Sequence, residues 1–472
     1  MLTHDWETLL EGAKSEALRF LQELPGREIR APATLEELRE GLGGLLPEAP
    51  SDPREVVAEL AKAADRGLLA SASGRFFGFV MGGALPASVG AEWLTAAWDQ
   101  CAGFHALSPA AAVAEQAVVS WLLKLFGLPP DASVGFVTGA QMANFTGLAA
   151  GRNAVLRRAG WDVETDGLVG APPLTVVAGR ERHVTVDRAL RFLGLGRACL
   201  REVEADGQGR MRPDALARAL GDLAGPGIVC AQMGNVNTGA LDPVGEICEV
   251  ARERGAWVHV DGAFGLWAAA SPSLRPLTRG VERADSWATD AHKWLNVPYD
   301  SGIVICAHSE AHRAAMTAGS ASYFPPEAGK ARDPMDWNPE LSRRARGFAL
   351  WAALRSLGRS GVADLVDRCC ILARRFADAL GGTSGVSVLN DVVLNQVLVR
   401  FGDDDELTRR VIAAVQQEGT CWMGGATWQQ MHVMRISVSN WSTDEEDVDR
   451  SVEAILRCYA SERGRTCPGP AR

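Results

Sequence analysis

The stretch Thr289–Gly302 reads TDAHKWLNVPYDSG. It sets Lys293 between His292 and Trp294, ahead of apolar residues and a Pro-Tyr turn. Lysine is scarce in this chain: Lys14, Lys62, Lys124, Lys293 and Lys330 are the only ones among 48 lysines and arginines. A lysine in an apolar segment is costly to bury charged and shifts readily toward the neutral amine. A neutral amine is what a Schiff base requires. The alternative is a lysine whose stem lies in the apolar segment while its head reaches water.

Three other places carry residue types that do chemistry. In AWVHVDGAFG, Asp261 closes an apolar run and opens into Gly-Ala. It is either the N-cap of a following helix or a carboxylate facing a ligand cation. In GFVTGAQMANFTGL, Gly139, Ala140 and Gln141 stand where a strand gives way to a helix. Small residues there let backbone N–H groups approach a phosphate, and tight turns use the same residues. The segment is neither GxGxxG nor GxxxxGK[ST], so it lends no support to a dinucleotide site or a P-loop. In RHVTVDRAL, His183 follows another apolar run. Alone it reads as a polar surface or core residue and gains interest only in company.

These residues need elements to hold them. GFVTG, LTVVAG, GIVCAQ, AWVHVDG and SGIVICA read as buried strands, and MANFTGLAAGRNAVLRRAG and DPVGEICEVARERG between them as helices. Continuous apolar strands alternating with helices predict a mainly parallel sheet covered on both faces, with ligands at the carboxyl ends of its strands. Residues 1–70 are helix-like, with Thr34 and Glu37 spaced as a capping box. They hold too little apolar material for a core and are expected to pack on something larger, such as a second subunit. After Arg346 one long helical stretch, or two, precedes VVLNQVLVRF, HVMRISVSN and a closing helix. The predicted organisation is a helical dimerisation segment at 1–70, a large domain at 71–345 and a small α+β domain at 346–472.

Composition narrows the class. The 472 residues exceed one ordinary core. A net charge of −10 argues against nucleic acid. The ten cysteines include no CxxC, so neither a zinc site nor a disulfide framework is expected. The opening MLTHDWETLLEGAK has no apolar signal core, and no run of 18 apolar residues predicts a membrane span; cytoplasm is the expected compartment.

In order along the chain, the strand–Gly loop at 139, His183, the strand–Asp at 261 and the His-Lys pair at 292–293 resemble a fold-type I pyridoxal phosphate enzyme. More narrowly, DAHKWLNVPYDSG, VHVDGAFG, NTGALDPVGEI, FVTGAQMAN, RFFGF and GFHALSP resemble the group II amino-acid decarboxylases, over roughly residues 70 to 455. The resemblance implies an α/β fold with a mainly parallel seven-stranded sheet, a site at a homodimer interface, and decarboxylation of an L-amino acid through an external aldimine and a quinonoid.

By the same likeness Lys293 binds pyridoxal 5'-phosphate covalently, His292 reaches its phosphate and Asp261 pairs with the pyridine nitrogen. His183 stacks on the ring, Ala263 packs beneath it, Gly139, Ala140 and Gln141 cradle the phosphate, and Asn237 lies near the ring hydroxyl, with Thr238 as its substitute. Asp290 stands where relatives often carry a neutral polar residue, and either repels the phosphate or orients His292. Phe76, Phe77, Phe79 and Phe104 line the pocket in relatives or belong to the core; as pocket residues they favour an aromatic or bulky apolar substrate. Arg435 either anchors a substrate carboxylate or pairs with Asp444 or Glu445. Anchored on Trp337, Arg343, Arg344, Arg346 and Trp351, the segment 322–351 matches the family's mobile loop. The count back from Trp337 puts Pro334 where the family has its proton-donating tyrosine. That leaves Tyr323 or His183 as donor, or redirects the outcome to an aldehyde by oxidative deamination.

Overall fold

The structure, a computed structural model, describes residues 5–223, 225–317 and 332–464. Seven strands form the central sheet: β1 (Ser133–Val137), β2 (Thr175–Gly179), β3 (Leu200–Val203), β4 (Gly227–Gln232), β5 (Trp257–Asp261), β6 (Ser286–Asp290) and β7 (Gly302–Cys306). Their order is β1-β7-β6-β5-β4-β2-β3. The run from β3 to β6 is parallel, and β7 lies antiparallel between β6 and β1. β1, β4, β5, β6 and β7 are buried along their whole length, so most of them read as unbroken apolar runs.

Parallel strands present all their carboxyl ends at one edge. Asp261 ends β5, Asp290 ends β6 and Gln232 ends β4 there. β7 runs the other way, so its first residue, Gly302, sits at that same edge opposite Asp290 and Val137. The helix Ala140–Arg158 begins beside it. Gly302 and Gly139 nearly touch: a Cβ on Gly302 would lie 2.4 Å from the Gly139 Cα. Only glycine lets the two backbones approach this closely.

The second sheet comprises β8 (Val386–Val388), β9 (Gln396–Phe401), β10 (Gly424–Trp428) and β11 (Met431–Ser437), antiparallel in the order β10-β11-β9-β8. The segment after residue 71 lies against it: the Phe77 N–H donates to the Trp422 carbonyl and the Ser437 N–H to the Phe77 carbonyl. The helical run Gly347–Gly381 leading into this sheet is two helices, because Gly358 breaks it with φ 62°. At the other end, the helices Trp6–Glu23, Leu35–Leu42 and Pro53–Ala64 contain no buried residue. The Thr34–Glu37 capping box forms as spaced. This segment is tied to the small sheet's domain where the Ile29 N–H donates to the Gly419 carbonyl.

The helix Pro109–Phe126 is long and apolar enough by composition to cross a membrane. Here Leu122, Leu123 and Phe126 are buried, and Phe126 meets the Trp267 ring edge-on at 4.9 Å.

Candidate active site

Asp290 is the centre of the polar cluster at the strand ends. Its Oδ1 accepts the Ala140 N–H at 2.5 Å, its Oδ2 lies 3.1 Å from Lys293 Nζ, and Oδ1 lies 3.4 Å from His292 Nε2. The carboxylate therefore occupies one donor of the helix N-terminus and holds both residues of the His-Lys pair. His292 is fixed on its other side, where Nδ1 accepts the Ser301 N–H at 3.1 Å and the ring stacks on Tyr299 at 4.2 Å. Burial holds the His292 pKa below the ordinary imidazole range.

Asp261 is buried, and both its oxygens are engaged. Oδ1 accepts the Ala263 N–H at 3.2 Å and Oδ2 accepts the Asn144 side-chain amide at 3.1 Å. Ala263 in turn accepts the Asp290 N–H, which links the turn after β5 to the end of β6. His183 caps the helix Val184–Phe192, its Nδ1 accepting the Thr185 N–H at 3.3 Å. Burial lowers the pKa of His183, and the charges of Asp261, Lys293, Arg435 and Asp290 all act on it. Lys293, His292, Asp261, Ala263, His183, Gly139, Ala140 and Gln141 thus converge on one edge of the sheet.

Asn237 is placed differently. Its N–H donates to Asn235 Oδ1, and among the described residues its side chain makes no hydrogen bond. Thr238 spends its hydroxyl on the Gln208 carbonyl. Tyr323 lies outside the described residues. Pro334 is buried and opens the short 3₁₀ helix Pro334–Trp337, which is pinned where the Met335 N–H donates to the Gly103 carbonyl.

The side chain of Arg435, on β11, makes neither a hydrogen bond nor an ion pair among the described residues, and burial lowers its pKa. The two acids near it in sequence are committed elsewhere: Asp444 caps the helix Glu445–Arg463, and Glu445 pairs with Arg375. Phe76 and Phe79 both stack on Trp422, at 5.1 and 5.4 Å. The chain running on from them passes over the lysine, because a Cβ on Gly82 would lie 2.1 Å from the Lys293 carbonyl oxygen. Phe76, Phe77 and Phe104 are buried, whereas Phe79 is exposed.

These residues fit a phosphorylated pyridine aldehyde. Gly139, at the N-cap of the helix Ala140–Arg158, has no side chain to cap it; Asp290 takes the Ala140 N–H, and no acceptor among the described residues takes the Gln141 N–H. Gln141 Oε1 is buried without a partner. The Gly139–Gly302 contact leaves the helix start open to an anion. Lys293 would supply the amine, His292 a second donor and Asp261 the carboxylate for a ring nitrogen. Sequence reasoning missed Asn144 and Thr185, which tie Asp261 and His183 together.

The comparisons with known proteins agree. The pyridoxal-dependent decarboxylase conserved domain matches residues 36–401. An aromatic-L-amino-acid decarboxylase of Bacillus atrophaeus is 25% identical over 426 residues, 87% of this chain and 86% of that protein. An acidic amino acid decarboxylase of Mus musculus is 30% identical over 322 residues, 67% of this chain and 58% of that protein. The crystal structure of Oryza sativa TDC with PLP and tryptamine superposes with a TM-score of 0.90 at 24% identity, covering 97% of this chain and 98% of the other. With the family domain spanning most of its length and the fold shared throughout, the chain belongs to the pyridoxal-dependent decarboxylases.

Proposed function

We propose that this decarboxylase takes an aromatic or bulky apolar L-amino acid and releases the amine. The observation that carries the substrate class is the Phe76–Trp422–Phe79 stack, whose two phenylalanines lie just ahead of Gly82, the residue that packs on the Lys293 backbone carbonyl. An aromatic wall of this kind offers offset stacking to a substrate ring and no counter-charge to a side-chain carboxylate. The unpaired Arg435 suits the α-carboxylate that every amino acid carries.

Pyridoxal phosphate, when bound, supplies an electron sink for the pair left on the substrate α-carbon as carbon dioxide departs. The chain's own residues do the rest. Lys293 would hold the cofactor's aldehyde carbon. Asp261 would keep a proton on the pyridine nitrogen. The Gln141 N–H and His292 would hold the phosphate. His183 would cover the ring, and either His183 or Tyr323 would hold the proton for the α-carbon. Trp6, Leu10, Trp93, Leu94 and Trp98, exposed in the single chain, support a homodimer.

A second reading, decarboxylation joined to oxidative deamination, is favoured by Pro334 at the place counted for the tyrosine donor. The test is mass spectrometry of products from the holoenzyme incubated in air with the common amino acids. An aromatic amine supports the proposal. An aldehyde with ammonia establishes the second reading. Turnover of glutamate or aspartate alone overturns the substrate class.

A further inference from the structure

Asn144 is fully buried in the helix Ala140–Arg158 and is itself neither acid nor base. It nevertheless joins three of the polar residues at the strand ends. Its Nδ2 donates to Asp261 Oδ2 at 3.1 Å and to Thr185 Oγ1 at 3.3 Å, while its Oδ1 lies 2.9 Å from His259 Nε2. Behind His259, Nδ1 lies 2.8 Å from Ser286 Oγ, which accepts the Trp257 indole N–H at 2.9 Å. Beyond Thr185, Oγ1 lies 2.9 Å from His183 Nδ1.

The two ends of this chain have fixed characters. An indole N–H only donates, and an ionised carboxylate only accepts. Ser286 accepts from Trp257 and keeps its own proton available for His259 Nδ1. Burial pushes the His259 pKa down to about 3, so the ring is neutral and its single proton sits on Nε2, donated to Asn144 Oδ1. The amide of Asn144 is thereby oriented; flipped, it would set its oxygen against the Asp261 carboxylate. Its two N–H groups go to Asp261 and Thr185. The Thr185 hydroxyl then donates to His183 Nδ1, which already accepts the Thr185 N–H. The one proton of neutral His183 is left on Nε2. A single arrangement satisfies every buried group, and such a network is rigid because any reversal leaves a donor or an acceptor unmet.

We propose that Asn144 is the positioning residue of this site: one amide N–H fixes the Asp261 carboxylate, and the other, through Thr185, fixes His183 with its proton on Nε2, the ring nitrogen free of the scaffold. The inference rests on the roles given above to Asp261 and His183. It deepens them by stating which nitrogen of His183 holds the transferable proton and which residue sets it.

The first measurement is ¹H–¹⁵N long-range NMR on ¹⁵N-histidine-labelled holoenzyme. His259 and His183 are expected with a bare Nδ1 and a protonated Nε2; a proton on Nδ1 of either overturns the inference. This reading needs no variant. The second is cofactor affinity. Asn144→Asp keeps the shape and the acceptor for His259 but turns the donor toward Asp261 into a second carboxylate. It should weaken pyridoxal phosphate binding by about tenfold or more, in line with the usual effect of losing a ligand-orienting residue. Thr185→Val removes the hydroxyl but leaves the Thr185 N–H on His183 Nδ1, so the His183 Nδ1 resonance should shift while His259 stays as it was; an unchanged His183 Nδ1 resonance overturns the relay. Asp261→Asn separates the two levels. If it leaves cofactor affinity unchanged, the assignment of Asp261 is at fault. If it weakens binding and Asn144→Asp does not, the positioning role alone is overturned.

Discussion

At the scale of single residues, the oddity in the sequence was Asp290, and the structure gives it three partners. Its carboxylate caps the Ala140 N–H and pairs with Lys293 and His292. A cofactor phosphate taking the neighbouring Gln141 N–H brings a second negative charge to the same helix start. Asparagine at 290 keeps an oxygen for the Ala140 N–H and removes the like charge. Asp290→Asn should therefore bind pyridoxal phosphate about three- to tenfold more tightly, the size of a screened like-charge term at such range. Fluorescence titration of the apoenzyme measures it, and weaker binding would mean that the carboxylate serves mainly to align Lys293 and His292. Lys293→Ala tests the covalent role: the visible absorption band of the holoenzyme should vanish and turnover fall below detection. An unchanged spectrum would sink the assignment of Lys293.

At the scale of elements, the strands are the part the sequence makes most legible, and the gaps are instructive. β6 (SWATD) and β3 (LREV) escaped notice. β6 is mixed in character, and β3 is an edge strand with two charged residues. Their partners supply what their own residues do not. The Asp261 and Gly139 motifs were legible because each sits at the end of a strand whose apolar run announces it, and Lys293 because lysine is scarce in this chain. Asn144 was not, because a lone asparagine inside a helix carries no local signal; its value arises from Asp261, 117 positions away. Element packing also sets an acid response. His312, on the helix Ser309–Met316, joins β1 to the Pro334–Trp337 turn, with Nδ1 at 2.8 Å from Ser133 Oγ and Nε2 at 3.2 Å from the Trp337 carbonyl. Burial, with a smaller contribution from Arg332, pushes its pKa down to about 3. Between the ordinary imidazole value and that one, the unfolded chain binds a proton that the folded chain does not. Stability therefore falls as pH drops below about 6.5, by up to about 1.4 kcal/mol per pH unit for each such histidine. His312→Gln, which keeps a donor for Trp337, should flatten the fall between about pH 6 and 5 by that amount. Urea midpoints at both pH values check this; a slope unchanged by the substitution would show that His312 takes up its proton in the folded state.

At the scale of the whole molecule, the single chain leaves apolar side chains exposed on neighbouring helices. Trp93, Leu94 and Trp98 on the helix Pro86–Trp98 are 44 to 49% exposed, and Leu107 and Val113 next along the chain are more so. The three N-terminal helices bury none of their own residues although they carry Trp6, Leu10 and Leu18. Scattered apolar residues need no explanation, but clusters that share a helix face mark an interface. A second copy is the partner that would cover them, since an isologous contact sets the same patch against itself. Sedimentation of the holoenzyme should then give about twice the 50.3 kDa of one chain. Leu94→Glu with Trp98→Glu puts two charges into that patch, and burying unpaired charge is strongly unfavourable. The double variant should sediment as a monomer. Helix Pro86–Trp98 packs against Phe348 through Trp98, and Arg344 pairs with Glu92 on the same helix. The arginine-rich segment leading from the Pro334 turn is thus connected to the patch. Loss of the partner should for that reason lower turnover as well as mass, while leaving far-ultraviolet circular dichroism unchanged. A monomeric variant with full activity would place the complete site within one chain, and a wild type that sediments as a monomer would assign the patch to a different partner.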